Sequence, residues 1–127
     1  VRVLIDTHIL LWWLAGYDKL STEARELIES ADSALFSAAS IWEIAIKARL
    51  GKMDFAVEPL EIAKAASLAG FREVAINSAA AGRVAKLPLH HRDPFDRLLI
   101  AQALELPCRL LTVDRALAQY SDLVIVV

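Results

Sequence analysis

Four acidic residues, Asp6, Glu43, Asp96 and Asp114, stand where residue type and spacing point to chemistry. Asp6 closes the apolar run Val1-Arg2-Val3-Leu4-Ile5 and is the only acid in the first 17 residues. Asp114 closes Arg109-Leu110-Leu111-Thr112-Val113 in the same way. Ligands of an open parallel sheet bind in the crevice outside the carboxyl ends of its strands, so an acid placed directly after a strand faces that crevice. Glu43 lies in Ser40-Ile41-Trp42-Glu43-Ile44-Ala45-Ile46-Lys47. Ser40-x-x-Glu43 is formally a capping box, but Ser37 caps equally well one turn earlier and leaves Glu43 inside the helix, beside Ala39, Ile46 and Leu50. A carboxylate on such an apolar face is costly unless it is paired or binds a metal. Asp96 belongs to Asp93-Pro94-Phe95-Asp96-Arg97-Leu98-Leu99, where Asp93 before Pro94 reads as the helix N-cap. Leu99, Ile100 and Ala103 share the face of Asp96, while Arg97 is turned about 100° away.

Each acid also has a plainer explanation: Asp6 and Asp114 as N-caps, Asp96 as an anion at the positive end of a helix. Four independent caps would not need to converge on one rim. Carboxylates gathered in one crevice raise one another's pKa, and a hard divalent cation relieves that repulsion. Mg²⁺ takes oxygen ligands and typically joins carboxylates to phosphate oxygens. The predicted chemistry is therefore metal-assisted phosphodiester hydrolysis, with the ion acidifying a water and polarising the phosphoryl group. Glu43 would orient or deprotonate that water. Thr7 and Thr112 stand beside Asp6 and near Asp114, where a hydroxyl either holds a coordinated water or completes the strand-end hydrogen bonds.

Positioning these groups requires alternating strands and helices. Short apolar runs at Val1–Ile5, Ala34–Phe36, Glu73–Ile76, Arg109–Val113 and Leu123–Val127 alternate with helical stretches at 7–15, 22–31, 38–50, 60–70, 78–86, 94–106 and 115–119. That order predicts βα units on a central parallel sheet of four or five strands, with helices covering both faces. Residues 1–127 are read as a single α/β domain, since no linker, repeat or low-complexity tract interrupts them.

Composition narrows the partners. With 57% hydrophobic residues the chain has a full core, and its longest uncharged run, 11 residues between Asp6 and Asp18, is well short of the ~20 apolar residues of a membrane span. No export signal opens the sequence, and the lone Cys108 reads as a small buried hydrophobe of a reducing, cytoplasmic compartment. The net charge is −2, so a polyanion must be held locally. Residues 83–97 carry Arg83, Lys86, Arg92 and Arg97 against Asp93 and Asp96. Arg92 and Arg97, with Lys47 at the end of the Glu43 helix, are the candidate phosphate contacts. His90 and His91 lack a third histidine nearby that would make them metal ligands, so they join the candidate contacts either on phosphate or as solvated surface, and Trp42 is read as core. Trp12 and Trp13 cannot share a helix face; they pack in the core, offer a base-stacking platform, or cover a dimer or partner-protein surface.

At these positions the sequence resembles the PIN-domain ribonucleases, in particular the VapC-type toxins of toxin–antitoxin pairs. The carrying segments are Leu4-Ile5-Asp6-Thr7-His8, Ser40-Ile41-Trp42-Glu43, His91-Arg92-Asp93-Pro94-Phe95-Asp96-Arg97-Leu98-Leu99-Ile100-Ala101-Gln102-Ala103 and Leu111-Thr112-Val113-Asp114, in family order across almost the whole chain. The resemblance implies a PIN-like three-layer α/β/α sandwich and a Mg²⁺- or Mn²⁺-dependent endoribonuclease. It places the family's acids on Asp6, Glu43, Asp96 and Asp114, with Asp93 beside the site. It further implies an RNA substrate, transfer RNA included, a cognate antitoxin and a homodimer. Two rivals keep part of this picture: a catalytically silent interaction module of the same fold, and a phospho-receiver-like Mg²⁺-binding domain. The second lacks support, because Asp6 has no acidic neighbour and no lysine follows Lys86.

Overall fold

The computed structural model describes residues 1–16, 18–53 and 57–127. Among them, five strands form one all-parallel sheet in the order β3-β2-β1-β4-β5. These are β1 (Arg2–Ile5), β2 (Ser33–Ser37), β3 (Arg72–Val74), β4 (Arg109–Thr112) and β5 (Val124–Val126). The helices are α1 (Thr7–Ala15), α2 (Thr22–Ser30), α3 (Ala38–Arg49), α4 (Pro59–Leu68), α5 (Ser78–Arg83) and α6 (Pro94–Glu105). The stretch read as one helix over 78–86 is α5 followed by a 3-10 turn, Val84–Lys86. Likewise 115–119 is a 3-10 turn rather than an α-helix. Both stretches are short, the length at which the tighter i→i+3 geometry is commonest.

The period-two geometry of β-strands explains the layering. Val3 and Ile5 of β1, Phe36 of β2 and Leu111 of β4 pack on one face with Ile9 and Leu10 of α1, Ala24 and Ile28 of α2, and Ala66 of α4. Leu4, Leu35 and Leu110 point the other way, onto Leu99, Ile100 and Ala103 of α6, with Cys108 and Leu117. Burial pushes the Cys108 thiol up to about 11, consistent with a packing role. The continuous apolar strands thus serve two cores, one on each side of the sheet.

Each helix near the crevice begins on a side-chain cap. Asp6 accepts from the Ile9 amide, Ser37 from Ala39, and Asp93 from Phe95 and Asp96. With Ser37 as the cap of α3, Glu43 falls inside that helix. At the far end of α1, Gly16 adopts φ 66°, a left-handed conformation that glycine adopts without strain, and its amide returns to the carbonyls of Trp12 and Trp13.

The chain crosses from β1 to β2 and β3 on one side, then returns so that β4 lies against the other edge of β1. That reversal between β1 and β4 opens a crevice at their carboxyl ends, where Asp6 and Asp114 stand. Because Leu99 of α6 is fully buried against the sheet, Leu99→Ala is expected to cost about 2–5 kcal/mol in urea unfolding at unchanged m-value. Leu68→Ala, on an exposed face of α4 (89% accessible), should fall within about 0.5 kcal/mol of wild type.

Candidate metal centre

Asp6 is the most enclosed acid of the crevice, at 3% exposure. Its Oδ1 accepts from the Ile9 amide at 2.8 Å, and its Oδ2 from the Thr112 hydroxyl at 2.7 Å and the Val113 amide at 3.1 Å. Burial pushes its pKa up, and those three donors work in the opposite direction. Oδ2 is saturated by two donors, whereas Oδ1 retains a lone pair. Thr112 is shared: its oxygen also accepts from the Asp114 amide at 3.1 Å, so one hydroxyl ties the ends of β1 and β4 together.

Glu43 is also buried, with Oε1 2.8 Å from the Thr7 hydroxyl and Oε2 paired with Lys47 one helical turn on. Ser40 completes the set, its hydroxyl 2.9 Å from that of Thr7. The Glu43 carboxylate raises the Lys47 pKa. Asp96, in the first turn of α6, is partly open to solvent. Its pKa is pushed up to about 7 by desolvation first, then by the charges of Asp93, Glu43 and Asp6, with His91 acting in the opposite sense. Asp114 caps the 3-10 turn Arg115–Gln119 through Oδ1 and turns Oδ2 to His91 Nε2 at 2.7 Å. His91 Nε2 is also 3.3 Å from Asp96 Oδ2.

Candidate ligand atoms of His91, Asp96 and Asp114 all lie within 4.8 Å of one another. Asp6 and Glu43 stand outside that tight group, each held by its own donors, yet both are near enough to act on Asp96. The donor set suits a hard divalent cation: carboxylate oxygens on a crevice rim, one of them made difficult to ionise first by burial and then by its like-charged neighbours.

The fold coincides with that of a known family. Residues 3–123 match the family model of the PIN domain. The chain belongs to the PIN-domain family. A PIN-domain relative, Ribonuclease VapC22 of Mycobacterium tuberculosis, is 34% identical over 119 residues, 93% of this chain and 91% of that one. Among solved structures, the PIN domain is similar to VapBC2 from Rickettsia felis bound to a DNA fragment from their promoter. There the TM-score is 0.70 at 11% identity, covering 100% of this chain and 98% of the other. It is also similar to a toxin–antitoxin complex from Klebsiella pneumoniae, with TM-score 0.66 at 19% identity over 97% and 95% of the two chains. At such identities the likeness is one of fold.

Around this PIN-domain crevice several side chains take places the sequence did not specify. His91, held open between a phosphate contact and plain surface, faces Asp96 and Asp114. Its position two residues before the α6 cap is the signal in the sequence that bears on this placement. Arg97, expected on phosphate, spends its guanidinium within the protein, donating to the carbonyls of Val84, Leu87 and Pro88 and to the Tyr120 hydroxyl. Its 100° rotation from Asp96 aims it at that loop. Trp42, expected in the core, is 56% exposed, because Glu43 and Ile44 occupy the inward side of α3. Its ring meets Phe95 of α6 edge-to-face at 5.1 Å. Trp13 packs edge-to-face on Phe71, with the Arg25 guanidinium over its ring, and Trp12 stacks near His8 beside a groove. Arg83 pairs with Glu105, while Arg92 is exposed at the rim.

The Asp96 shift has a definite sign. Its folded pKa, about 7, exceeds the ordinary 3.8, so the folded protein binds the extra proton. The associated stability is complete below about pH 4 and is lost as pH rises through 7. In EDTA-treated protein, Asp96→Asn should therefore gain stability relative to wild type between pH 5 and pH 8, measured by urea unfolding at both values. A gap that moved the other way would contradict the like-charge environment of Asp96.

Proposed function

We propose that this PIN domain, residues 1–127 acting as one domain, is a divalent-metal-dependent endoribonuclease of the VapC kind. Its ion is Mg²⁺, with Mn²⁺ as a substitute. The observation that carries this reading is a coincidence: a chain 34% identical to a named ribonuclease over 93% of its length has Asp6, Glu43, Asp96 and Asp114 around the crevice at the carboxyl ends of β1 and β4.

In this reading Asp6, Asp96 and Asp114 hold the cation. A divalent ion bound there supplies Lewis acidity toward the phosphoryl group and acidifies a water. Glu43 receives the proton of the attacking water, its carboxylate fixed by Thr7 on one oxygen and Lys47 on the other. Thr112 keeps Asp6 aimed into the crevice. Asp93 caps α6 and contributes charge without ligating. Lys47, partly exposed, and Arg92 at the rim offer the phosphate contacts. Beside Glu43 runs a groove of about 220 Å³ lined by Thr7, His8, Trp12, Lys47 and Lys52 among others. It provides cations and an aromatic face along which single-stranded RNA, transfer RNA loops included, can lie. Arg97 is left out of this interface.

The solved neighbours include toxin–antitoxin complexes, which supports a cognate antitoxin as the partner that silences the nuclease; a homodimer is the assembly this reading assigns to the active protein. No helix among the described residues is long and apolar enough to cross a membrane, and the cytoplasm is the proposed compartment.

Incubating antitoxin-free protein with total RNA and transfer RNA should give cutting in Mg²⁺ or Mn²⁺ and none in EDTA. Asp6→Asn and Asp96→Asn should each lower the rate by about 100-fold or more, while Asp93→Asn should lose less, since proton-transfer and charge-stabilising groups supply factors of this order. Full activity in both Asp6→Asn and Asp96→Asn would overturn the assignment. Neither cutting nor metal binding in wild type would favour the silent interaction module.

A further inference from the structure

His91 meets two acids of the crevice, and geometry alone leaves two roles open to it: a nitrogen ligand beside Asp96 and Asp114, or a hydrogen-bond donor that aims them. Its other ring nitrogen decides. The backbone amide of Asp93 donates to His91 Nδ1 at 3.1 Å, closing a tight local turn just before α6. A nitrogen that accepts an N–H carries no proton of its own, so the neutral imidazole has its hydrogen on Nε2. A ligating histidine shows the opposite arrangement, with a bare nitrogen toward the metal and its second N–H given to an acceptor. The nitrogen facing the acids is therefore a donor, 2.7 Å from Asp114 Oδ2 and 3.3 Å from Asp96 Oδ2.

We propose that His91 is a positioning residue of the metal centre: fixed as the Nε2–H tautomer by the Asp93 amide, it donates to Asp114, holds that carboxylate beside Asp96, and does not bind the ion. This rests on the metal-dependent reading of the site given above.

The loop that carries His91 is itself tied down. Tyr120 Oη lies 2.9 Å from the His91 amide and 3.1 Å from that of His90, while Arg97 Nη1 approaches the same oxygen at 3.2 Å. Arg97 further gathers the carbonyls of Val84, Leu87 and Pro88. The His90 ring packs edge-to-face on Tyr120 at 5.1 Å. Asp114 caps the turn that leads to Tyr120, so the loop before α6 and the segment after β4 are fastened at two points, by His91 to Asp114 and by Tyr120 to the loop amides. With that one hydrogen bond His91 thus holds the Asp114 carboxylate, which follows β4, close to Asp96 of α6.

Two measurements test this. Long-range proton–nitrogen NMR on ¹⁵N-labelled, metal-free protein should show His91 as the Nε2–H tautomer; an Nδ1–H tautomer would overturn the proposal. Mn²⁺ titration followed by electron paramagnetic resonance should show binding weakened about 10- to 100-fold in His91→Ala, the usual cost of removing an outer hydrogen-bond partner. His91→Gln, whose amide can donate in place of Nε2–H, should restore most of that loss, and the bound Mn²⁺ of wild type should carry no histidine nitrogen coupling. A nitrogen coupling that disappears in His91→Ala would make His91 a ligand, and unchanged binding in His91→Ala would remove its positioning role. Should His91→Ala fail to fold, the tautomer and the His91→Gln comparison still decide. Wild-type protein that bound no Mn²⁺ would defeat the metal reading instead, and the tautomer readout would remain valid by itself.

Discussion

Burial of the Asp6 carboxylate at the carboxyl ends of the paired strands β1 and β4 sets terms for everything around it. A charge taken out of water is tolerated only when hydrogen bonds replace its hydration, and here the replacements come from three directions: the first turn of α1, the side chain of Thr112, and the backbone just beyond β4. Satisfying Asp6 therefore fixes where α1 starts and how the ends of the two central strands meet. The Ile5–Leu111 pairing and the Asp6 amide bonded to the Leu111 carbonyl continue the same alignment into the sheet. Once that edge is set, α3 and α6 bring their acids up to the same rim.

The arrangement sets stability against purpose. Glu43 and Asp6 are enclosed and individually satisfied, but Asp96 is left among like charges with a histidine as its closest counterweight. Nothing in the packing of α6 requires an acid there, since Leu99, Ile100 and Ala103 already hold the helix to the sheet. Natural proteins commonly give up stability at working sites, and the metal-centre role proposed for Asp96 would account for an acid kept in so unfavourable a place.

Much of this was legible in the sequence, for reasons that can be named. The strands and helices follow from apolar runs punctuated by caps, and Asp6, Ser37, Asp93 and Asp114 each begin a helix or turn as their side-chain chemistry suggests. Glu43 was recognisable as an acid set among apolar helical neighbours, and it is buried. Less accessible were contacts between segments distant in sequence whose residue types are common on surfaces. Tyr120 carries no local signal for the loop thirty residues upstream, and a histidine in a proline-flanked loop reads equally well as solvent-facing. Arg97 misled because a cation near an acidic crevice suggests an anionic ligand, whereas the nearest oxygens were backbone carbonyls. Trp42 misled because aromatic rings usually seek the interior, while the inward side of α3 was already taken.

The clasp that Arg97 makes on the carbonyls of Val84, Leu87 and Pro88 has a bearing on how such chains diversify. Connecting loops ordinarily accommodate added or lost residues with little penalty. This one is measured against a guanidinium of fixed shape rooted in α6, so its contour length is set by a side chain rather than by the distance between its ends. Homologues that keep an arginine at this position should keep the loop's residue count, and those that lose it should be free to lengthen it.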